Sequence, residues 1–138
     1  GGAGNDTLDG GAGNDHMVGG TGNDYFKVNT AGDVVVEASG GGQDTVETSL
    51  STYTIPNQVE TLIVTATGGA RIGGNALDNL IRGGDGADTL YGYAGADTID
   101  GGGGKDLLVG GTGNDYFIAD QAGDRVSELE EMQTFHKT

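Results

Sequence analysis

The sequence has no cysteine, no tryptophan, one proline (Pro56), and 6 basic residues against 21 acidic ones, for a formal charge of −15 over 138 residues. Without cysteine there are no disulfide staples and no thiolate zinc sites. The two histidines, His16 and His136, are far apart in sequence and in repeat phase, so zinc and copper find no evident ligand set. Scarce lysine and arginine argue against nucleic acid or anionic lipid as partners, since both are polyanions. A cation binder fits the charge. No apolar run approaches the roughly 20 residues of a membrane span, and no signal-peptide pattern opens the chain.

Catalytic signatures are also missing. There is no GxSxG, no HExxH, and no Ser/His/Asp set with a plausible layout, so the chain is expected to be non-catalytic. Gly101 to Asp106 (GGGGKD) resembles a phosphate-binding loop superficially, but Ile99 stands at the first glycine position and Asp106 replaces Ser/Thr. Collagen spacing and a twelve-residue EF-hand loop are both absent.

What the chain has in abundance is glycine, 30 residues of it, and the glycines are periodic. GGTGNDYF occurs at 19–26 and again at 110–117 within a nine-residue period. The first block reads GGAGNDTLD (1–9), GGAGNDHMV (10–18), GGTGNDYFK (19–27); the second reads GGDGADTLY (83–91), GYAGADTID (92–100), GGGGKDLLV (101–109), GGTGNDYFI (110–118). A degenerate unit, GGNALDNLI (73–81), precedes the second block with Arg82 as an extra residue between. Because the chain begins inside a repeat, it is expected to be part of something longer.

Glycines at places one, two and four permit positive φ and hence a sharp turn in each unit. The last three residues then form a short strand whose middle residue points inward: Leu8, Met17, Phe26, Val35, Leu80, Leu90, Ile99, Leu108, Phe117 and Val126. Two units return the chain to its start, so coils stack as parallel strands. The expected fold is all-β, a right-handed parallel β-roll or β-helix. The division is a first repeat block at 1–37, β spacer coils continuing the stack at 38–72, a second block at 73–128, and a tail at 129–138. That tail is expected to be a short capping helix, a native remnant or an appended extension.

Each turn presents an aspartate at its sixth place: Asp6, Asp15, Asp24, Asp33, Asp78, Asp88, Asp97, Asp106, Asp115 and Asp124. Units two apart share a side of the roll. Asp6 then neighbours Asp24, Asp15 Asp33, Asp78 Asp97, Asp88 Asp106, Asp97 Asp115, and Asp106 Asp124. At about 4.8 Å between coils, such carboxylates repel unless a cation lies between them. Calcium suits the site best, because it accepts six to eight oxygens in flexible geometry, peptide carbonyls included. The expected carbonyl donors are Gly2, Gly4, Gly11, Gly13, Gly20, Gly22, Gly84, Gly86, Gly95, Gly102, Gly104, Gly111 and Gly113. Roughly five ions follow from the pairings. Interchangeable carboxylates also argue against an acid/base pair, since an active site needs one special pair.

The units resemble the GGxGxDxUx nonapeptide of the RTX (repeats-in-toxin, hemolysin-type) family over residues 1–128, and the middle stretch resembles the spacer between RTX blocks. The resemblance implies calcium in the turns, export from a bacterium by a type I secretion system, and folding on reaching external calcium. It further implies that Asp44, Glu37 and Glu128 complete peripheral sites. A secreted, monomeric calcium-binding module is expected. The alternative is a polysaccharide-binding RTX module of an alginate-modifying or similar extracellular enzyme, although six basic residues are few for a polyanionic sugar. Departures from the pattern are Ala76 in place of glycine, Arg82 shifting the phase, and Tyr93 at a second-glycine position. His16 is expected to be a solvated surface residue, and Tyr25 and Tyr116 partly exposed beside core phenylalanines.

Overall fold

The structure, a computed structural model, describes residues 1–128 and the backbone of residues 134–137. Strands are numbered in chain order. One face of the roll is an eight-stranded parallel sheet: Thr7–Asp9 (β2), Tyr25–Val28 (β5), Thr45–Thr48 (β7), Thr61–Val64 (β9), Leu80–Arg82 (β11), Thr98–Asp100 (β13), Tyr116–Ala119 (β15) and Thr134–Lys137 (β17). The opposite face is divided. His16–Val18 (β3) pairs with Val34–Val36 (β6), and a five-stranded sheet runs through Thr52–Thr54 (β8), Arg71–Gly73 (β10), Thr89–Ala94 (β12), Leu107–Thr112 (β14) and Arg125–Ser127 (β16). Gly2–Ala3 (β1) pairs with Gly20–Thr21 (β4) at the turn.

All of these pairings are parallel, and each strand is short because a nonapeptide has room for one inward residue between turns. In the repeat blocks partners are two nonapeptides apart, as with Thr7 and Tyr25 or Thr98 and Tyr116. The middle coils break that spacing without breaking the sheet: Tyr25 pairs with Thr45, Thr45 with Thr61, and Thr61 with Leu80. The result is one thin core. Phe26, Val46, Leu62, Ile81, Ile99 and Phe117 form its ladder on one side, all fully buried, facing Ile72, Leu90 and Leu108 on the other. Each such side chain contributes on the order of 1.5–3 kcal/mol by burial.

Two expectations are corrected here. Leu80 is not the inward residue of its unit: it is 39% exposed and registers with Thr98, while Ile81 is fully buried opposite Ile99. The unit therefore starts at Gly74, with Asn79 in sixth place and Arg82 in ninth. The stack keeps its phase because a one-residue slip would turn every core side chain outward. The second correction concerns the tail. Thr134–Lys137 is a strand paired with β15, not a helix; residues 129–133 and 138 lie outside the described residues.

Candidate metal centre

Two rows of carboxylates run along the edges of the roll. In the first, the backbone N–H of Asp6 donates to Asp24 Oδ1 (2.9 Å), that of Asp24 to Asp44 Oδ1 (2.8 Å), and that of Asp44 to Glu60 Oε2 (2.8 Å). The row resumes with Asn79 donating to Asp97 Oδ1 (2.7 Å) and Asp97 to Asp115 Oδ1 (2.8 Å). The second row pairs Asp15 with Asp33, and then runs from Ala70 to Asp88, Asp106 and Asp124 by the same bond. One oxygen of each aspartate beyond the first coil thus ties its coil to the preceding one, while Asp6 and Asp15 contribute only their N–H groups.

The other oxygen is left over. Oδ2 of Asp6, Asp15, Asp24, Asp44, Asp88, Asp97, Asp106 and Asp115 is buried without a hydrogen-bond partner, as is Glu37 Oε2. Burying an unpaired charge is costly, and a native fold holds few such groups without a reason. Burial accordingly pushes Asp97 up to about 7 and Asp106 up to about 6, helped by neighbouring carboxylates. Asp44, Asp88 and Glu37 move in the same direction for the same first cause.

Glycine makes the space these oxygens occupy. A β-carbon on Gly1, Gly10, Gly92, Gly101 or Gly110 would collide with the aspartate Oδ2 of its own unit. First-place glycines are therefore required for room, and no positive φ is recorded for them. Second and fourth glycines do take positive φ, Gly2, Gly4, Gly11, Gly13, Gly20, Gly22, Gly102, Gly104, Gly111 and Gly113 among them; Gly86 and Gly95, at fourth places, do so too. Gly84 keeps an ordinary φ, and Tyr93 takes its unit's second place at φ 77°. The carbonyls of Gly2, Gly4, Gly22, Gly84, Gly86 and Gly95 press against the turn glycine of the next coil, where a β-carbon would strike them. Backbone oxygens therefore converge on the same edges as the carboxylates.

The sequence-predicted aspartates divide into three kinds. Eight carry the unpartnered oxygen. Asp33 and Asp124 belong to their rows but spend Oδ2 on local turns: Asn29 and Thr30 donate to Asp33, and Gln121 donates to Asp124. Although burial opposes it, the backbone donors hold Asp33 below the usual carboxylate range. Asp78 is brought against Ala96 rather than Asp97, accepting the Ala96 N–H at 2.7 Å. Glu60, which extends the first row, carries no signal in the sequence, because it lies in the irregular spacer, where no nonapeptide marks a sixth place. Glu128 Oε2 lies beside Gly110.

Buried oxygens, acceptors without donors, and adjacent carbonyls form a donor set that fits a hard divalent cation and not a soft one. A stacked roll with such edges is a cation-loading β-solenoid. The model of the RTX calcium-binding nonapeptide repeat (4 copies) matches residues 1–26, 73–108 and 101–127, more than half of the chain, and the protein belongs to that family. It is also 46% identical over 54 residues to the endo-1,3-1,4-β-glycanase ExsH of Rhizobium meliloti (strain 1021), a match spanning 39% of this chain and 11% of that protein. No solved structure matches the chain.

Proposed function

We propose that this chain is the calcium-dependent folding module of a secreted bacterial protein, exported by type I machinery and ordered by external calcium, where it stabilises or presents a parent enzyme, toxin or adhesin. The supporting observation is the set of eight buried aspartate oxygens without donors. With calcium scarce, these groups repel and keep the chain expanded. When bound, the ion supplies positive charge between coils and binding free energy becomes folding free energy. Asp6, Asp15, Asp24, Asp44, Asp88, Asp97, Asp106 and Asp115 would hold roughly five ions with the turn carbonyls, and millimolar external calcium meets the about 10⁻⁴–10⁻³ M affinities of extracellular modules. Asp33 and Asp124 would close the two stretches of the second row, and Asp78 would lie beside the first row, next to Asn79. The module itself carries no catalysis. Circular dichroism with and without chelator tests the proposal: β signal that appears with calcium supports it, and a fully folded spectrum in excess EGTA overturns it.

A second function, polysaccharide binding, is favoured by one surface feature. Tyr91 and Tyr93 stack at 5.8 Å with planes 11° apart, and the Arg71 guanidinium lies 4.7 Å over the Tyr91 ring. Tyr93 is exposed, on strained backbone, and Gly73 leaves room for its ring. The partial relative is a glycanase by name. Calorimetric titration with a mixed-linkage β-glucan in calcium should give binding that Tyr93→Ala removes; no heat with the unaltered protein eliminates this function.

A further inference from the structure

Resting on calcium as the cation that orders the repeat blocks, we propose that residues 45–82 form a calcium-independent folding nucleus, from which the second block assembles before the first. In a solenoid each coil touches only its neighbours, so stability is a sum over coils and the interfaces between them. Folding then spreads from whichever coils are stable alone.

The unsatisfied charge is confined to the two repeat blocks and their margins. Each buried aspartate oxygen without a donor lies at or before Asp44, or at or after Asp88; among the described residues none falls between. The stretch 45–82 holds three acidic residues, Glu47, Glu60 and Asp78, against Arg71 and Arg82, a net −1 out of −15. Without calcium the blocks bear buried carboxylates that oppose folding, and these coils do not.

What holds 45–82 together needs no ion. Val46, Val59, Leu62, Ile72 and Ile81 are at most 1% exposed. Val46 stacks in register on Leu62, and Leu62 on Ile81, along β7, β9 and β11, while Ile72 registers with Tyr53 on the opposite face. Polar groups close among themselves. Thr48 is fully buried; its Oγ1 accepts the Leu50 N–H (3.1 Å), and Thr65 Oγ1 donates to its carbonyl (3.2 Å). The Asn75 and Asn79 amides donate to the Pro56, Val59 and Glu60 carbonyls. Apolar burial and neutral hydrogen bonds stabilise these coils at any calcium concentration.

The two blocks join this nucleus unequally. Toward the second block both faces continue, β11 pairing with β13 and β10 with β12, which pairs in turn with β14. Toward the first block only β7 pairs, with β5. On the opposite face β6 and β8 end separate sheets, and Val34 and Val36 of β6 are 47% and 40% exposed. A second-block coil gains two strand pairings on docking and a first-block coil one, so calcium orders the second block first.

The test is hydrogen–deuterium exchange read by mass spectrometry on the whole chain, in EGTA and then along a calcium titration. In EGTA, peptides covering 45–82 should exchange about tenfold or more slowly than those covering 1–36 and 89–128. Added calcium should protect 89–128 at a lower concentration than 1–36. Leu62→Ala should raise the calcium midpoint of both blocks, whereas Met17→Ala, buried in the first block, should raise that of 1–36 alone. If Leu62→Ala does not order in saturating calcium, Leu62→Val carries the test with the same expected direction. Equal exchange along the chain in EGTA overturns the proposal, as does a first block that orders at the same or lower calcium. Midpoints unmoved by the Leu62 variant that folds overturn it too. Full protection everywhere in EGTA, or blocks unprotected at every calcium concentration, would instead overturn the calcium function on which the nucleus rests.

Discussion

Asn79 donates its backbone N–H to Asp97 Oδ1 at 2.7 Å, taking in its own coil the place that Asp97 takes in the next. Its side-chain Nδ2 donates to the carbonyls of Val59 (3.3 Å) and Glu60 (3.4 Å) and to Asn75 Oδ1 (3.0 Å). Asn75 Nδ2 adds bonds to Pro56 O and Val59 O at 2.9 and 2.8 Å. Amide hydrogens thus satisfy backbone oxygens of the preceding turn, and this coil coheres through neutral hydrogen bonds where its neighbours carry unpartnered carboxylates.

Asn79→Asp should make the middle of the roll dependent on metal. The substitution deletes the Nδ2 donors and adds a negative charge to the first row, a loss of about 1–3 kcal/mol without metal. A calcium titration followed by circular dichroism should place the folding midpoint at higher calcium than in the unaltered protein. Coincident midpoints would show that the amide staple contributes nothing.

Gly92→Ala should abolish calcium-dependent order in the second block. A β-carbon there meets Asp97 Oδ2 and lies 2.7 Å from the Gly110 carbonyl, so the carboxylate must swing out of its row and a backbone oxygen must shift as well. Gly68→Ala is the matched control, since nothing lies within 4 Å of its β-carbon position. Calorimetry should find fewer ions bound by the first variant and an unchanged number by the second.

In chelator the protein should gain structure on acidification. Asp97 at about 7 and Asp106 at about 6 both lie above the unfolded value of 3.8, so the folded metal-free chain binds protons more tightly than the unfolded chain. Their penalty is absent below about pH 4, grows as pH rises toward about 7, and then levels off. The β signal in EGTA should therefore increase from pH 7 down to about 4. In saturating calcium the dependence should reverse, because protons compete with the ion for the same oxygens. A flat profile in EGTA would show that these carboxylates are not buried in the folded metal-free chain.

The register of the 74–82 unit is open to a direct comparison. Ile81→Ala should cost about 2–5 kcal/mol in urea denaturation with calcium saturating, as expected for a fully buried residue. Leu80→Ala should stay within about 0.5 kcal/mol, as expected for a residue 39% exposed. Equal losses would contradict the register.

The nine-residue period alone determined the roll. Glycine turns every nine residues with one apolar residue between them leave a stacked parallel ladder as the way to bury Phe26, Ile99 or Phe117, and the paired aspartates follow from two units per coil. Composition likewise pointed to a hard cation, because aspartates far outnumber every soft ligand. Tertiary structure decided the finer points. Local sequence offered Gly73-Gly74 as a unit start and Asp78 as a ligand, but continuity of the core put Ile81 inward and Asn79 in the row. It also decided that Asp33 spends its second oxygen on its own turn, and that Glu37 reaches Asp24 and Asp44. Those outcomes depend on which backbone N–H groups and which distant coils lie beside each carboxylate, and a repeat period specifies neither.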